Sequence, residues 1–268
     1  MAQRTLWKSR GVVNATTYRN DSPPGRYLPE PPLDAFVEHF WTVAWKLDAP
    51  VVRETLPHPS VHLIIEAGRS GLTGPHTRRF TRTLEGHGRV LGIKFLPGCF
   101  RPFWKQPVSS LANRVLPTGE AFGKAGEAFE SSVLACGDDE PAILALAEKF
   151  LLERLPKPDP QAQLARSLVA RIRSDPALLR TEALAEQAKL SVRALQRLFS
   201  AYVGVSPKWV IQRYRMHEAM ERLESGAARD LPALAQELGY FDQAHFSRAF
   251  KAVLGRTPGS YARDSATR

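Results

Sequence analysis

Apolar and polar positions follow a strand-like pattern in the first half of the chain. Three short runs of this kind span residues 61–66, 80–84 and 90–95, and glycines and prolines separate them. Short strands at this spacing are typical of a small antiparallel sheet or barrel. A helix is predicted ahead of them, because apolar side chains recur there at helical spacing: Leu33, Phe36, Val37, Phe40 and Trp41.

The pattern becomes helical between residues 119 and 155. The end of this segment carries a broad apolar face made of Ile143, Leu144, Leu146, Ala147, Phe150 and Leu151. Such a face needs a partner, which is either the barrel of the same chain or the same helix in a second chain. The second alternative predicts a homodimer through residues 141–155.

Two proline-rich stretches divide the chain. Residues 21–32 predict an extended lead-in, because proline fixes φ and lacks the amide donor. Residues 155–160, with the sequence LPKPDP, lie between two apolar-periodic segments and are the best candidate for a linker. We therefore expect an N-terminal domain over residues 1–156 and a C-terminal domain over residues 161–268.

The C-terminal domain is predicted to be all-helical and to contain an internal repeat. The repeat is visible in three residue pairs, each 51 positions apart: Arg197 and Arg248, Gly204 and Gly255, and Pro207 and Pro258. A repeat of this length indicates two copies of one supersecondary unit, here helix, tight turn, helix.

Capping residues predict where the helices of the two units begin. Gly239 suits the turn of the second unit, which needs positive φ. A joining helix is expected from Ser206-Pro207 to Ser225-Gly226. N-caps are predicted for both helices of each unit, at Thr181, Ser191, Asp230 and Asp242.

Composition narrows the class of protein. The chain has 268 residues, 43% of them hydrophobic and 24% charged, which is ordinary for a globular protein. No run of about 18 uncharged apolar residues occurs, so no membrane span is expected. Residues 1–17 lack the apolar stretch of a secretory signal, and Cys99 and Cys136 are the only cysteines. These features predict an intracellular, cytoplasmic protein.

The net charge is +10 and is concentrated in the second half. Residues 1–156 carry 19 basic and 16 acidic side chains, whereas residues 157–268 carry 18 and 11. This excess favours a polyanionic partner, with nucleic acid first and an anionic membrane second. A basic solvated surface without a partner is the alternative interpretation.

The outward faces of the second helix of each unit carry the candidate chemistry. Arginine and glutamine hydrogen-bond to guanine and adenine edges, and histidine and serine reach bases or phosphates. A joining helix of about 17 residues spans about 26 Å, which allows two readers to enter successive major grooves. The alternative is a helical bundle that displays these side chains only to solvent. The candidate DNA-binding residues are Arg193, Gln196 and Arg197 in helix 191–202, and Gln243, Ala244, His245, Ser247 and Arg248 in helix 242–254.

At these residues the sequence resembles the AraC/XylS family of bacterial transcription regulators. The resemblance covers about residues 160–264 and includes LAEQAKLSVRALQRLF and ALAQELGYFDQAHFSRAFKAVLGRTPGSYAR. It implies a monomeric module of two helix-turn-helix units that binds double-stranded promoter or operator DNA, with RNA polymerase as a partner. The eight candidate residues match the contacting places of the family's two reading helices. Ala244 departs from the pattern, because it offers only a methyl group where relatives present a longer polar side chain.

The N-terminal half is similar to the shorter barrel-type sensor domains of this family, chiefly in GHGRVLGIKFLPGCFRPFW. This weaker resemblance implies a partial cupin-like sheet followed by helices, with a role in binding a small-molecule effector, in dimerisation, or in both. The predicted fold is therefore α+β, with a small antiparallel sheet or barrel ahead of two joined helix-turn-helix units. Eight aromatic side chains are candidates for an apolar pocket: Phe36, Phe40, Trp41, Trp45, Phe95, Phe100, Phe103 and Trp104.

A second hypothesis stays open, a metal-dependent cupin-type enzyme with a basic helical appendage, because this half contains His58, His62, His76 and His87. His62 and Glu66 are four apart, which on a strand places both on one face. The usual H-x-H signature is absent, so no metal, cofactor or catalytic residue is assigned. Cys99 is either a reactive thiol or a small buried hydrophobe. The leading hypothesis is a sequence-specific transcription regulator, not an enzyme, that an N-terminal effector-binding or dimerisation domain modulates.

Overall fold

The computed structural model describes residues 25–228 and 230–266. Two regions follow one another along the chain: residues 25–152 contain all the described strands and two long helices, and residues 160–266 contain helices alone. The first four residues of the predicted extended lead-in, 21–24, lie outside the described residues. None of the helices in the described parts of the chain combines the length and apolarity needed to cross a membrane.

A six-stranded antiparallel sheet forms the centre of the first region, in the order β1-β2-β7-β4-β5-β8. A separate two-stranded ribbon pairs β3 (Val51–Thr55) with β6 (Phe80–Leu84). The three predicted strands are confirmed as β4, β6 and β7. The strands of the main sheet are β1 (Gly25–Tyr27), β2 (Val37–Lys46), β4 (His62–Ile65), β5 (Gly71–Thr73), β7 (His87–Phe95) and β8 (Val115–Leu116).

The helix predicted over residues 33–41 is wrong. Only a 3₁₀ turn, Leu33–Ala35, forms there, and β2 begins at Val37. β2 pairs with β1 on one side and with β7 on the other, so its amides are satisfied in the middle of the sheet. Its sequence VEHFWTVAWK is rich in β-branched and aromatic residues, and this preference together with pairing on both sides outweighs the chance helical spacing.

Helices α2 (Thr118–Ala135) and α3 (Glu140–Leu152) complete the core of the first region, after a short helix α1 (Arg101–Trp104). The apolar face of α3 packs into the same cluster as Leu63, Ile93 and Phe95 of the sheet. Its partner is therefore the same chain, and this face is not available for the predicted homodimer. The LPKPDP segment follows as an irregular connection, and Asp159 caps the next helix.

The described residues of the second region form seven helices. They are α4 (Pro160–Ser174), α5 (Thr181–Gln187), α6 (Val192–Tyr202), α7 (Pro207–Glu224), α8 (Leu231–Glu237), α9 (Gln243–Leu254) and α10 (Pro258–Ala266). α7 is shared by two cores: Val210 and Ile211 pack with α4, α5 and α6, whereas Met216 and Met220 pack with α8, α9 and α10. The repeat is thus built as two units on one helix.

The capping predictions hold at all but one of the predicted N-caps. The side chains of Ser191 and Asp242 accept from the amides of Ala194 at 3.1 Å and His245 at 2.6 Å. Thr181 is wrong as an N-cap, because Arg180 occupies that position and its carbonyl already accepts from the amide of Leu184 at 3.3 Å. Asp230 and Ser206 cap α8 and α7 through Ala233 and Trp209.

Candidate nucleic-acid interface and adjoining cavity

The α6 helix places its three candidate residues on one exposed face. Leu195 and Phe199 are fully buried in the first unit, and Ser191 anchors the start of the helix. Because side chains three and four positions apart share a helix face, burial of that pair turns the opposite face to solvent. The exposed face carries Arg193, Gln196 and Arg197.

The α9 helix repeats this arrangement in the second unit. Phe246, Phe250 and Leu254 are fully buried, and Asp242 holds the first turn. Four of the five candidate residues are exposed, and Ser247 is half-buried. The exposed ones are Gln243, Ala244, His245 and Arg248.

The turns between the paired helices are equivalent in the two units. Lys189 has φ 53° and Gly239 has φ 79°, and each lies one residue before an amide that bonds back to a buried alanine. The amide of Leu190 donates to the carbonyl of Ala185, and that of Tyr240 to Ala235, both at 2.9 Å. The small side chains let the helices approach closely, as a helix-turn-helix requires.

Charge at the two faces is not neutralised within the described part of the chain. No ion pair among those residues involves Arg193, Arg197 or Arg248. α7, with 18 residues, separates the units by a helix about 27 Å long. The two faces therefore present free guanidinium groups on rigid helices, which is the chemistry that binds phosphates and guanine edges.

Phe241 is an exposed residue that sequence reasoning missed. Its side chain is 90% exposed, and it lies between the turn at Gly239 and the cap Asp242. A large apolar side chain in that position stands beside the start of α9. In the sequence, Phe241 stands out because a large apolar residue occurs at a position that faces inward in neither α8 nor α9.

Residues 184–264 match the family model of a helix-turn-helix domain, which covers both units. Curated relatives described as AraC-like transcription regulators are similar to this chain over 78 and 88 residues, so residues 184–264 are called the AraC-type domain. Residues 25–117 match a second model, described as a domain of unknown function, DUF6597. That model covers the sheet and its ribbon and ends before α2.

Curated relatives agree with the helix-turn-helix match. An AraC-like transcription regulator of Streptomyces lividans is 40% identical over 88 residues, covering 32% of this chain and 29% of that protein. The transcriptional regulator GlxA of Rhizobium meliloti (strain 1021) is 30% identical over 151 residues, covering 56% of this chain and 37% of that protein. The chain thus spans about a third of the length of these relatives.

Among solved structures, the C-terminal domain of AraT, a response regulator from Geobacillus stearothermophilus, is similar to part of this chain. It is 28% identical to this chain, covers 40% of it and 88% of its own length, and has a TM-score of 0.35.

A cavity of about 850 Å³ adjoins the AraC-type domain. One face of the sheet forms its floor, and residues of α7 and the end of α4 form its roof. Of the eight aromatic residues predicted to line a pocket, Trp41 alone lines this cavity, and Phe103 lines a second one beside the LPKPDP segment. Phe40, Phe95 and Phe100 are fully buried in the core beneath α2 and α3, because the opposite face of the sheet has helices packed on it.

Histidines are concentrated in this cavity instead. Three of the four singled out in the sequence line it, namely His58, His62 and His76, together with His39 and His217. His87 is exposed at the start of β7. Among the described residues no three histidine, cysteine, aspartate or glutamate side chains converge as metal ligands. Glu66, the predicted companion of His62, pairs with Arg82.

Burial sets the protonation of the cavity histidines. Burial, together with the nearby Lys94 ammonium, lowers the pKa of His39 to about 2 and that of His62 to about 3. These imidazoles are neutral at physiological pH. Cys99 is buried, and burial raises the pKa of its thiol to about 11, so it is a protonated buried side chain and not a reactive thiolate.

Proposed function

We propose that this protein is a transcription regulator that binds double-stranded promoter DNA with its two AraC-type units. The observation that supports this best is the duplicated arrangement of α6 and α9. Each helix keeps its aromatic side chains inside and presents arginine and glutamine outside, and a single helix joins the units.

The proposed DNA contacts divide between bases and phosphates. Arg193, Gln196 and Arg197 of α6 would read one major-groove segment, with the arginines favouring guanine and the glutamine adenine. Gln243, His245 and Arg248 of α9 would read the next segment. Ala244 would contribute only a methyl contact, and the half-buried Ser247 would reach a phosphate.

The proposal assigns different tasks to the two regions. Residues 161–268 would form the DNA-binding domain, and residues 1–156 would form a sensor domain that responds to a small-molecule effector. RNA polymerase would be the protein partner at the promoter. A homodimer would need a surface other than the apolar face of α3, because the core of the same chain covers that face.

Selection of genomic DNA fragments by the purified protein, at a fixed salt concentration, tests the proposal. We expect enriched fragments to share two short half-motifs about one helical turn apart. Salt-sensitive binding without a shared motif would contradict the assignment of α6 and α9 as readers. Parallel selection with the exposed Lys124→Ala variant is the control, since that lysine lies on α2, outside the AraC-type domain.

A further inference from the structure

The cavity beside the AraC-type domain lies under the helix that joins its two units. Tyr214 and His217 of α7 belong to its roof. The imidazole of His217 stacks on that of His58 from the first region, with ring centroids 4.0 Å apart and planes 2° from parallel. The cavity wall therefore includes side chains of both the first region and α7.

The side chains that form the floor of the cavity change from charged and polar to apolar along the strands. In one row across the sheet, Lys94 of β7 lies between His39 of β2 and His62 of β4. Two residues further along, Trp41 and Ile64 flank Gly92. A Cβ on Gly92 would fall 1.9 Å from the Trp41 indole, so the absence of that carbon lets the indole lie across the strand as a flat platform.

One end of this floor is built to receive an acidic group. Lys94 is 8% exposed, and its ammonium lies 3.0 Å from one oxygen of Glu38. Arg26, a donor only, lies 2.7 Å from Nδ1 of His39, so the proton of that neutral imidazole is on Nε2 and available for donation. Ser60 is 2% exposed, and its hydroxyl has no hydrogen-bond partner among the described residues.

The other end of the floor offers an acceptor. Glu66 is four residues beyond His62, about 13 Å along the strand direction. One of its oxygens accepts from Arg82, whereas Oε2 is buried without a hydrogen-bond partner among the described residues. Glu66 is only 7% exposed, and a buried carboxylate oxygen in this state is costly unless a donor meets it.

We propose that this cavity binds a small organic acid with a flat apolar body and a hydroxyl or amino group at its far end. The acid would bind beside Lys94, His39 and Ser60, and the flat body would lie on Trp41 and Ile64. The far group would donate to Oε2 of Glu66. This rests on the proposed function in one respect, since the occupant would act on DNA binding through Tyr214 and His217 of α7.

Positive potential at the acid-binding end supports this ligand class. Burial first, and the Lys94 ammonium next, lower the pKa of both His39 and His62, so these rings stay neutral and act as donors. Arg69 and Arg173 also line the cavity and are exposed, and neither has an ion pair among the described residues. These exposed guanidinium groups favour the entry of an anion.

Isothermal calorimetry on the full chain without DNA tests the site with three probes. They are 3-(4-hydroxyphenyl)propanoate, 3-phenylpropanoate, which lacks the hydroxyl, and 3-(4-hydroxyphenyl)propanamide, which lacks the charge. We expect the first to bind and each of the other two to bind about tenfold or more weakly. The second probe loses the hydrogen bond to the Glu66 carboxylate, and the third loses the negative charge that interacts with Lys94.

Two variants separate specific contacts from general damage to the fold. In Glu66→Gln the gap between the hydroxylated and unhydroxylated acids should narrow, because a neutral amide oxygen is a weaker acceptor than a carboxylate. In Ser60→Ala the gap between acid and amide should narrow. A purely structural effect would weaken all three probes alike and leave both gaps unchanged. Glu120→Gln, an exposed change at the start of α2, is the control and should behave as the parent protein.

The outcomes test the proposed ligand site separately from the proposed role in transcription. Equal heats for all three probes, or binding of inorganic phosphate as tight as that of the hydroxylated acid, would overturn the proposed ligand class. The experiment is independent of DNA, so a failure to find an operator leaves it intact. If the probes bind as expected but operator affinity stays unchanged on their addition, the link through α7 is wrong and the binding site stands.

Discussion

The two helix-turn-helix units share a sequence pattern but differ in how their cores are completed. The buried cluster of the first unit consists of residues between 162 and 214, all from the helical region. The cluster of the second unit includes Leu56, which comes from the end of the β-ribbon and is fully buried among Met216, Phe250 and their neighbours. The second unit therefore depends on the first region for part of its core, and the first unit does not.

Polar contacts join both units to the first region. Arg79, just before β6, donates to the carbonyl of Leu254 at 3.0 Å, and the buried Arg213 of the joining helix α7 donates to the carbonyl of Thr77 at 2.8 Å. The first unit meets the first region elsewhere: Gly204 lies against Val108, Ser200 bonds to Ser109 at 3.2 Å, and the Arg101 guanidinium lies over the Tyr202 ring at 4.4 Å. A change in the position of the sheet would thus reach the second unit through a shared core residue and the first unit through surface contacts.

The largest expected effect comes from removing the shared core residue. Leu56→Ala should destabilise the second unit by about 2–5 kcal/mol, through lost burial and the cavity left behind. Amide hydrogen exchange should become faster in α8 and α9, with α6 unchanged. Equally faster exchange in both units would show that they unfold together, and would contradict a separate dependence of the second unit on the first region. Leu198→Ala, in the first unit, is the reciprocal control.

The next largest effect is expected on operator affinity, where a change in one unit should affect only the half-motif that this unit contacts. Arg197→Ala and Arg248→Ala should each weaken specific binding by about 1–3 kcal/mol, because each removes a guanidinium from an exposed reading face. Arg197→Ala should relax sequence preference in one half-motif only, and Arg248→Ala in the other. Fluorescence anisotropy with half-motif variants measures this. Unchanged affinity in both variants would contradict the site assignment.

The histidines beneath α7 predict a dependence of stability on pH. His39 and His62 have lowered pKa values in the folded chain and ordinary ones near 6.5 when unfolded, so the unfolded chain binds more protons below that pH. The free energy of unfolding should therefore be highest above pH 6.5 and fall as pH drops below it. Each group contributes up to about 1.4 kcal/mol per pH unit.

Urea unfolding at pH 7.5, 6.5 and 5.5 measures this slope. His62→Gln should make the slope shallower, whereas His87→Gln, at the exposed start of β7, should leave it unchanged. A slope that neither substitution alters would assign the acid sensitivity to other groups.

The smallest expected effect is the loss of stability when the N-cap residue of α6 or α9 is replaced. Ser191→Ala and Asp242→Ala should each cost about 1 kcal/mol, since each removes the acceptor for an amide of the first turn. The Asp242 change should be the larger, because a carboxylate also interacts favourably with the helix dipole. Thermal unfolding of both variants beside the parent measures the difference, and Thr181→Ala, at a position without a capping bond, is the control.

Local pattern in the sequence determined the helical region to a large extent. Spacing of Leu195 and Phe199, the capping residues Ser191 and Asp242, and the positive-φ turn at Gly239 act within a few residues of one another. Interactions of such short range can be recognised without the fold. The exposure of Arg193, Arg197 and Arg248 follows directly from them, although their roles on DNA stay predictions.

Only the tertiary structure decided the rest. β2 has a helical spacing of apolar residues, and pairing with β1 and β7 makes it a strand. Trp41 and Phe40 are adjacent and equally apolar, but they lie on opposite faces of that strand, so one lines a cavity and the other is buried in the core. The cavity unites Lys94, Ser60, Glu66 and Tyr214 from distant parts of the chain. Contacts of such long sequence separation depend on strand order and helix docking, which no local pattern records.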